Sequence, residues 1–113
     1  MTKPLRSIDP DVHFRVLHLI EKEPGLTQRE LAQKLGISLG GVNYCLNALI
    51  AIGQIKAGNF TKNPNKAAYL YLLTPKGVAE KAKLTTGFLR RKMTEYHALK
   101  KEIEAIQSKV IKT

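Results

Sequence analysis

The sequence predicts a mainly α-helical protein with one small β-hairpin and a long C-terminal helix. Three observations lead to this fold class. Apolar residues recur at helical spacing in three segments before Gly53, and each segment is followed by a glycine. Two short aromatic and apolar segments then flank a polar loop, as in a hairpin. After Pro75 no proline interrupts the chain, and apolar residues recur there in a heptad pattern.

The first helix begins at the pair Asp9-Pro10. Asp9 is suited to the N-cap and Pro10 to the first helical position. The apolar stripe of this helix continues to about Lys22, and Pro24-Gly25 then breaks the helical pattern. We therefore expect a tail over residues 1–8 and a compact domain from residue 9 to residue 74.

The second helix has a capping pattern of its own. Thr27 and Glu30 match the S/T-x-x-E motif, in which each side chain bonds the backbone N–H of the other residue. This motif predicts a helix from Gln28 to about Leu35. Gly36 follows as the residue best able to adopt the left-handed conformation that closes a helix and permits a sharp turn.

A third helix is predicted over residues 39–52, with Ser38 as its cap. Its apolar residues lie on one side at about 100° per residue: Val42, Cys45, Leu46, Leu49 and Ile52. The opposite side carries no charged residue and consists of Gly40, Tyr44, Asn47 and Ala51, flanked by Asn43. An uncharged polar face is unusual for a solvated helix but is expected of a helix whose polar groups meet base edges.

The hairpin is predicted from strands over residues 55–60 and 67–73, joined by the polar loop 61–66. Thr74-Pro75 then marks the start of a final helix over residues 75–113. A helix of some 35 residues is about 50 Å long, which is far longer than the rest of the domain can cover.

A heptad frame fits this last helix, with one position held by Ala82, Leu89, Tyr96, Ile103 and Val110 and the other by Val78, Leu99 and Ile106. Thr85 and Lys92 interrupt the frame. These apolar residues form a stripe along the helix, and the simplest way to bury it is against a second copy of the same helix, so we predict a homodimer. The expected interface residues are Leu89, Tyr96, Leu99, Ile103, Ile106 and Val110. The basic run Arg90-Arg91-Lys92 is interpreted as a solvated face, which in a dimer could also extend the positive surface.

Charge favours a polyanionic partner. The chain of 113 residues has a formal net charge of +10. No Asp or Glu occurs between Glu30 and Glu80, where all charged residues are lysines: Lys34, Lys56, Lys62, Lys66 and Lys76. A phosphate backbone repels carboxylates and attracts lysines, so this acid-free segment is expected to hold the contact surface, unless its composition serves solubility alone.

Two helices joined by a glycine turn and followed by a basic hairpin make a winged helix-turn-helix, whose second helix enters the major groove. The run LTQRELAQKLGISLGGVNYCLNALIAIGQIKAGNF…LLTPKG resembles MarR-type regulators, most closely the short branch associated with exopolysaccharide (EPS) gene clusters. The resemblance covers nearly the whole chain and implies transcriptional control by operator binding. Ordinary MarR proteins have further terminal helices that usually build the dimer interface and ligand cleft, so an effector ligand stays open.

The expected partner is therefore a double-stranded DNA operator with an inverted repeat. Asn43 and Asn47 are the best candidates for reading bases, because a carboxamide pairs bidentately with adenine; each is otherwise a solvated polar residue. Tyr44 contacts a phosphate or a thymine methyl, or packs on the helix. The other expected DNA contacts near the helix starts are Thr27, Gln28, Ser38, Gly40 and Gly41, although the two glycines also fit a frayed first turn. In the wing, residues 60–67, the expected contacts are Lys62, Asn65 and Lys66, which meet phosphates or the minor groove unless this is only a solvated loop.

Catalysis, cofactor binding and metal binding find no support in the sequence. His13, His18 and His97 lack the spacing of metal ligands, and Cys45 fits a small buried thiol. The single cysteine, the absence of an apolar leader and the absence of a membrane-spanning segment predict a cytoplasmic protein with no membrane partner. The competing interpretations are a winged-helix adaptor in a larger complex and an RNA-binding protein.

Overall fold

A computed structural model describes residues 8–59 and 69–112. Four helices and one hairpin follow each other in the order α1 (Pro10–Lys22), α2 (Gln28–Leu35), α3 (Leu39–Ala51), β1 (Ile55–Asn59), β2 (Tyr69–Leu73) and α4 (Pro75–Lys112). This architecture confirms the predicted fold class, a winged helix-turn-helix with a long C-terminal helix.

The helix starts follow the predicted signals, with one correction. The capping box of α2 is complete, since Thr27 Oγ1 accepts from the Glu30 N–H at 3.1 Å and Glu30 Oε1 accepts from the Thr27 N–H at 2.8 Å. Ser38 caps α3 by accepting the N–H of Gly41 at 3.0 Å. Asp9 occupies the N-cap of α1, but its side chain makes no capping hydrogen bond. The backbone carbonyl of Asp9 instead accepts the N–H of His13 at 2.9 Å.

Both predicted glycine turns are present. Gly36 closes α2 with φ of 70°, and Gly53 follows α3 with φ of 80°. α3 ends at Ala51, one residue before the predicted end, because Ile52 already has the non-helical conformation of a C-cap. The left-handed conformation at both glycines strains any residue that has a Cβ.

The hairpin is antiparallel, with Ile55 opposite Leu73 and Asn59 opposite Tyr69. The strand ends predicted at residues 60 and 67–68, and the loop 61–66 between them, lie outside the described residues. Within the described strands, Ile55 and Tyr71 are buried and join the helical core. The hairpin therefore packs one side against the helices.

The core lies between α1, α2, α3 and the hairpin. Seven side chains are almost fully buried there: Val16, Leu17, Leu31, Val42, Leu46, Leu49 and Ile55. Three of them come from α3 and face inward, as the sequence predicts for its apolar side. Burial of this side fixes the rotation of α3 about its axis and leaves its uncharged side on the surface.

Gln54 is the junction at which α1, α3 and α4 meet. Its side chain is buried and accepts a hydrogen bond from His13 Nε2 at 2.7 Å. Its backbone N–H donates to Leu49 in α3 at 2.9 Å, and its carbonyl accepts the N–H of Thr74, just before α4, at 3.1 Å. Gly77, in the first turn of α4, packs directly on this carbonyl. These contacts satisfy buried polar groups and join the start of α4 to the end of α3.

The first half of α4 is docked on α1. The rings of Phe14 and Phe88 stack with centroids 4.3 Å apart. The Asp11 carboxylate pairs with Arg91 Nε at 2.6 Å and with Lys92 Nζ at 3.0 Å. Burial alone would raise the pKa of Asp11, but the hydrogen bonds from Lys92 and Arg91 outweigh it and lower that pKa.

Arg90 and Arg91 are exposed and Lys92 is partly exposed, in keeping with a solvated face, but Arg91 and Lys92 also pair with Asp11. These two residues hold α4 against α1. The ion pair with Asp11 also explains why the charged residue Lys92 stands at an otherwise apolar position of the heptad frame. From residue 93 to residue 111, by contrast, every side chain is exposed.

Candidate nucleic-acid interface

The outer face of α3 is exposed, uncharged and rich in amides. α3 contains no Asp, Glu, Lys or Arg, and Asn43, Tyr44 and Asn47 are all exposed. Because the opposite side of α3 is buried in the core, these three side chains point away from the domain. They can present donors and acceptors to a ligand without displacing charged neighbours.

Four of the polar side chains form one hydrogen-bonded chain. Asn47 Nδ2 donates to Asn43 Oδ1 at 3.1 Å, and Asn43 Nδ2 donates to Gln28 Oε1 at 3.3 Å. Gln28 Nε2 in turn donates to the hydroxyl of Tyr71 at 3.0 Å. The structure thus brings Gln28, Asn43 and Asn47, all predicted site residues, together with Tyr71, which the sequence analysis missed. No local signal could have found Tyr71, because it lies 43 positions from Gln28.

The predicted contacts at the helix starts lie at the two N-termini. Thr27 and Ser38 are exposed N-cap residues, and the positive end of the helix dipole lies beside each of them. Gly40 is exposed, and a Cβ added at this position would meet no neighbouring group within 4 Å. A Cβ on Gly41 would come within 3.2 Å of Ser38 Oγ, so the cap itself gives a structural reason for glycine there.

The predicted wing contacts Lys62, Asn65 and Lys66 lie outside the described residues. Three further lysines of the acid-free segment are exposed in the described part of the chain: Lys34 in α2, which pairs with Glu23, Lys56 in β1 and Lys76 in the first turn of α4. All three are candidate phosphate contacts that the sequence analysis noted only as part of that segment.

All six predicted dimer residues are exposed in the single chain. The exposed fractions range from 46% for Ile103 to 67% for Val110, with Leu89, Tyr96, Leu99 and Ile106 between these values. Met93 is also exposed, at 45%, and lies one turn from both Leu89 and Tyr96. The heptad frame omitted it. A shallow groove of about 300 Å³ follows the same face and is lined by Tyr96, Leu99, Lys100, Ile103, Glu104 and Gln107.

No metal-binding cluster is found in the described parts of the chain. Residues 8–59 and 69–112 contain no group of three His, Cys, Asp or Glu side chains placed to hold a metal ion. Cys45 is buried in α3, and the loss of solvent raises the pKa of its thiol, so the thiol form is favoured. Over the same residues, no helix has the length and apolar content needed to cross a membrane.

Part of the chain matches a known protein family. Residues 10–56 match a family described as winged helix-turn-helix DNA-binding. This match spans α1, the two helices of the helix-turn-helix and the start of the hairpin. No curated protein matches the chain.

Solved structures extend the likeness over most of the chain. The PcaV transcriptional regulator from Streptomyces coelicolor matches at 20% identity and a TM-score of 0.66, over 96% of this chain and 76% of PcaV. The adhesin competence repressor AdcR from Streptococcus pyogenes matches at 18% identity and a TM-score of 0.68, over 92% of this chain and 76% of AdcR.

A third structure is bound to DNA: ZitR from Lactococcus lactis, at 22% identity and a TM-score of 0.60, over 82% of this chain and 60% of ZitR. Residues 10–56 therefore resemble a winged helix-turn-helix family described as DNA-binding, and the fold of the chain is shared with these regulators.

Proposed function

We propose that this protein is a sequence-specific regulator of transcription that binds double-stranded DNA as a homodimer. The observation that carries the proposal is the exposed, uncharged amide face of α3 in a winged helix-turn-helix. In this fold the second helix of the motif lies in the major groove. Similarity to regulators, one of them bound to DNA, supports the same role.

Asn47 is the proposed base-reading residue. Its hydrogen bond to Asn43 uses one of its two amide hydrogens. The other hydrogen and the carbonyl oxygen can then pair with N7 and N6 of adenine in the major groove. Thr27 and Ser38, at the helix N-termini, are proposed to bind the phosphates on either side.

The proposed dimer pairs the exposed stripes of two α4 helices. Two copies related by a twofold axis present two α3 helices to the DNA, so the operator is expected to be an inverted repeat. Its half-site centres should lie about 10–10.5 base pairs apart, or a multiple of that distance. The cytoplasmic location and the association with EPS gene clusters are part of the proposal; the first rests on the composition of the sequence and the second on the sequence resemblance.

Replacement of Asn47 by alanine tests the assignment of base reading. We expect a loss of about 1–3 kcal/mol in binding to a duplex selected by the wild-type protein from a random library, because one bidentate contact disappears. Binding to random duplex should change little. Fluorescence anisotropy with both duplexes measures the two affinities.

Gln33→Ala is the matched control for this variant, because it removes an exposed amide from the neighbouring helix α2. It should leave both affinities unchanged. Equal losses on the selected and the random duplex in Asn47→Ala would show that Asn47 does not read a base. Failure of the wild-type protein to select or bind any duplex would reject the regulator and favour the adaptor interpretation.

The salt dependence of binding tests the wing. Each phosphate contact removed should reduce the slope of log affinity against log salt by about 0.9. We expect Lys62→Ala to produce this reduction and to weaken selected and random duplexes alike. Lys109→Ala, an exposed lysine near the far end of α4, serves as the control for loss of charge alone. An unchanged slope in Lys62→Ala would remove Lys62 from the contact surface.

A further inference from the structure

The hydrogen-bonded chain beneath the amide face has a direction. All three amides donate towards Tyr71, and Asn43 and Gln28 also accept from the side of Asn47. Because an amide has its donor and acceptor at opposite ends of one group, the orientation of each member determines the orientation of the next. With Gln28 Nε2 bonded to Tyr71, Gln28 Oε1 faces Asn43, and Asn43 Oδ1 faces Asn47.

The two ends of this hydrogen-bonded chain differ in burial: its anchor, Tyr71, is buried, whereas Asn47 at its outer end is exposed. Tyr71 lies in β2, is 5% exposed and belongs to the hydrophobic core. Gln28 is half-buried in the first turn of α2, and both asparagines are exposed on α3. A side chain that is exposed by itself samples several rotamers, and ordering it on binding costs conformational entropy. The hydrogen-bonded chain reduces this entropic cost for Asn43 and Asn47, because both side chains are already hydrogen-bonded before DNA binds.

We propose that Tyr71 and Gln28 are positioning residues that set the sequence specificity of α3 without reading a base. This inference rests on the proposed function. The Tyr71 hydroxyl anchors Gln28, Gln28 bonds the amide of Asn43, and Asn43 Oδ1 holds Asn47 Nδ2, so that the Asn47 amide is ordered before DNA binds. Adenine has an acceptor at N7 and a donor at N6, and only one order of the Asn47 amide matches that pair. Gln28 was expected to contact DNA itself, and this proposal gives it a different role.

Tyr71→Phe is the direct test, because it removes the hydroxyl and keeps the ring in the core. The probes are the duplex selected by the wild-type protein and a random duplex of the same length. We expect affinity for the selected duplex to fall about three- to tenfold, the effect of one hydrogen bond. Affinity for the random duplex, its salt slope and the melting temperature should change little. Gln28→Ala should give the same pattern through a different residue.

A double-mutant cycle separates positioning from general stabilisation. In an Asn47→Ala background, Tyr71→Phe should have almost no further effect on the selected duplex, because the amide that it orients is gone. A loss in that background equal to the loss in the wild-type background would overturn the inference. So would a Tyr71→Phe protein that keeps full affinity for the selected duplex. These outcomes leave the proposed function intact, whereas failure of the wild-type protein to select any duplex rejects that function first.

Discussion

Replacement of Ile103 and Ile106 by aspartate is expected to yield a monomer with a folded winged domain and greatly weakened operator binding. Both residues lie on the exposed stripe of α4 and make no part of the hydrophobic core. Two charges on this stripe would be buried without partners in a helix pair, which is strongly unfavourable. A monomer cannot bind both half-sites of the operator at once, so its affinity for the operator should fall about 10²- to 10⁴-fold.

Sedimentation velocity at micromolar concentration measures the oligomeric state, and circular dichroism reports the fold. Some helical signal should disappear, because a free helical segment of about 20 residues is only marginally stable in water. Ala105→Asp with Ser108→Asp is the matched control, since it adds the same charges with the same spacing on the other side of α4. That variant should stay dimeric. A monomeric wild-type protein, or a dimeric Ile103→Asp/Ile106→Asp variant, would reject the α4 dimer.

Gly77→Ala is expected to be among the most destabilising substitutions of a single residue in the chain. The added Cβ would lie 2.1 Å from the carbonyl oxygen of Gln54 and 3.1 Å from its carbonyl carbon. Both partners of this clash are backbone, so no rotamer change relieves it, and α4 must shift at its junction with Gln54. We expect the free energy of unfolding to fall by about 2–3 kcal/mol, after allowance for the higher helix propensity of alanine.

Gly40→Ala is the control, because the same change at this exposed position in the first turn of helix α3 meets nothing within 4 Å. There alanine should stabilise the protein by up to about 1 kcal/mol through helix propensity. Urea unfolding at one fixed protein concentration measures both variants, since the stability of a dimer depends on concentration. A Gly77→Ala protein as stable as the wild type would contradict the close packing at Gln54.

The features that the sequence predicts well are determined by neighbouring residues. The capping box at Thr27 and Glu30, the cap at Ser38 and the left-handed turn at Gly36 each depend on a few adjacent positions, and all are present. The rotation of α3 was also predictable, because its apolar side has to face the core. The outer amide face follows from that rotation without further information.

The features that the sequence does not predict join distant segments. Asp11 and Arg91 are 80 positions apart, and the pairing of Gln28 with Tyr71 spans 43 positions. A charged or hydroxyl residue has many potential partners of suitable chemistry, and only the packed fold brings one of them within reach. The same reason explains why the pairing of Arg91 and Lys92 with Asp11 was not predicted and why Gly77 had no assigned role.

The docking of α4 on α1 ends at Lys92, and this boundary has an evolutionary consequence. Residues 93–111 are exposed in the single chain and can change without disturbing the winged domain, and five of the six proposed dimer residues lie among them. If two α4 helices pair there, the choice of partner and the choice of operator are encoded in separate stretches of one gene. After a gene duplication, two sister proteins could cease to form mixed dimers within a few substitutions, while each still recognised the ancestral operator.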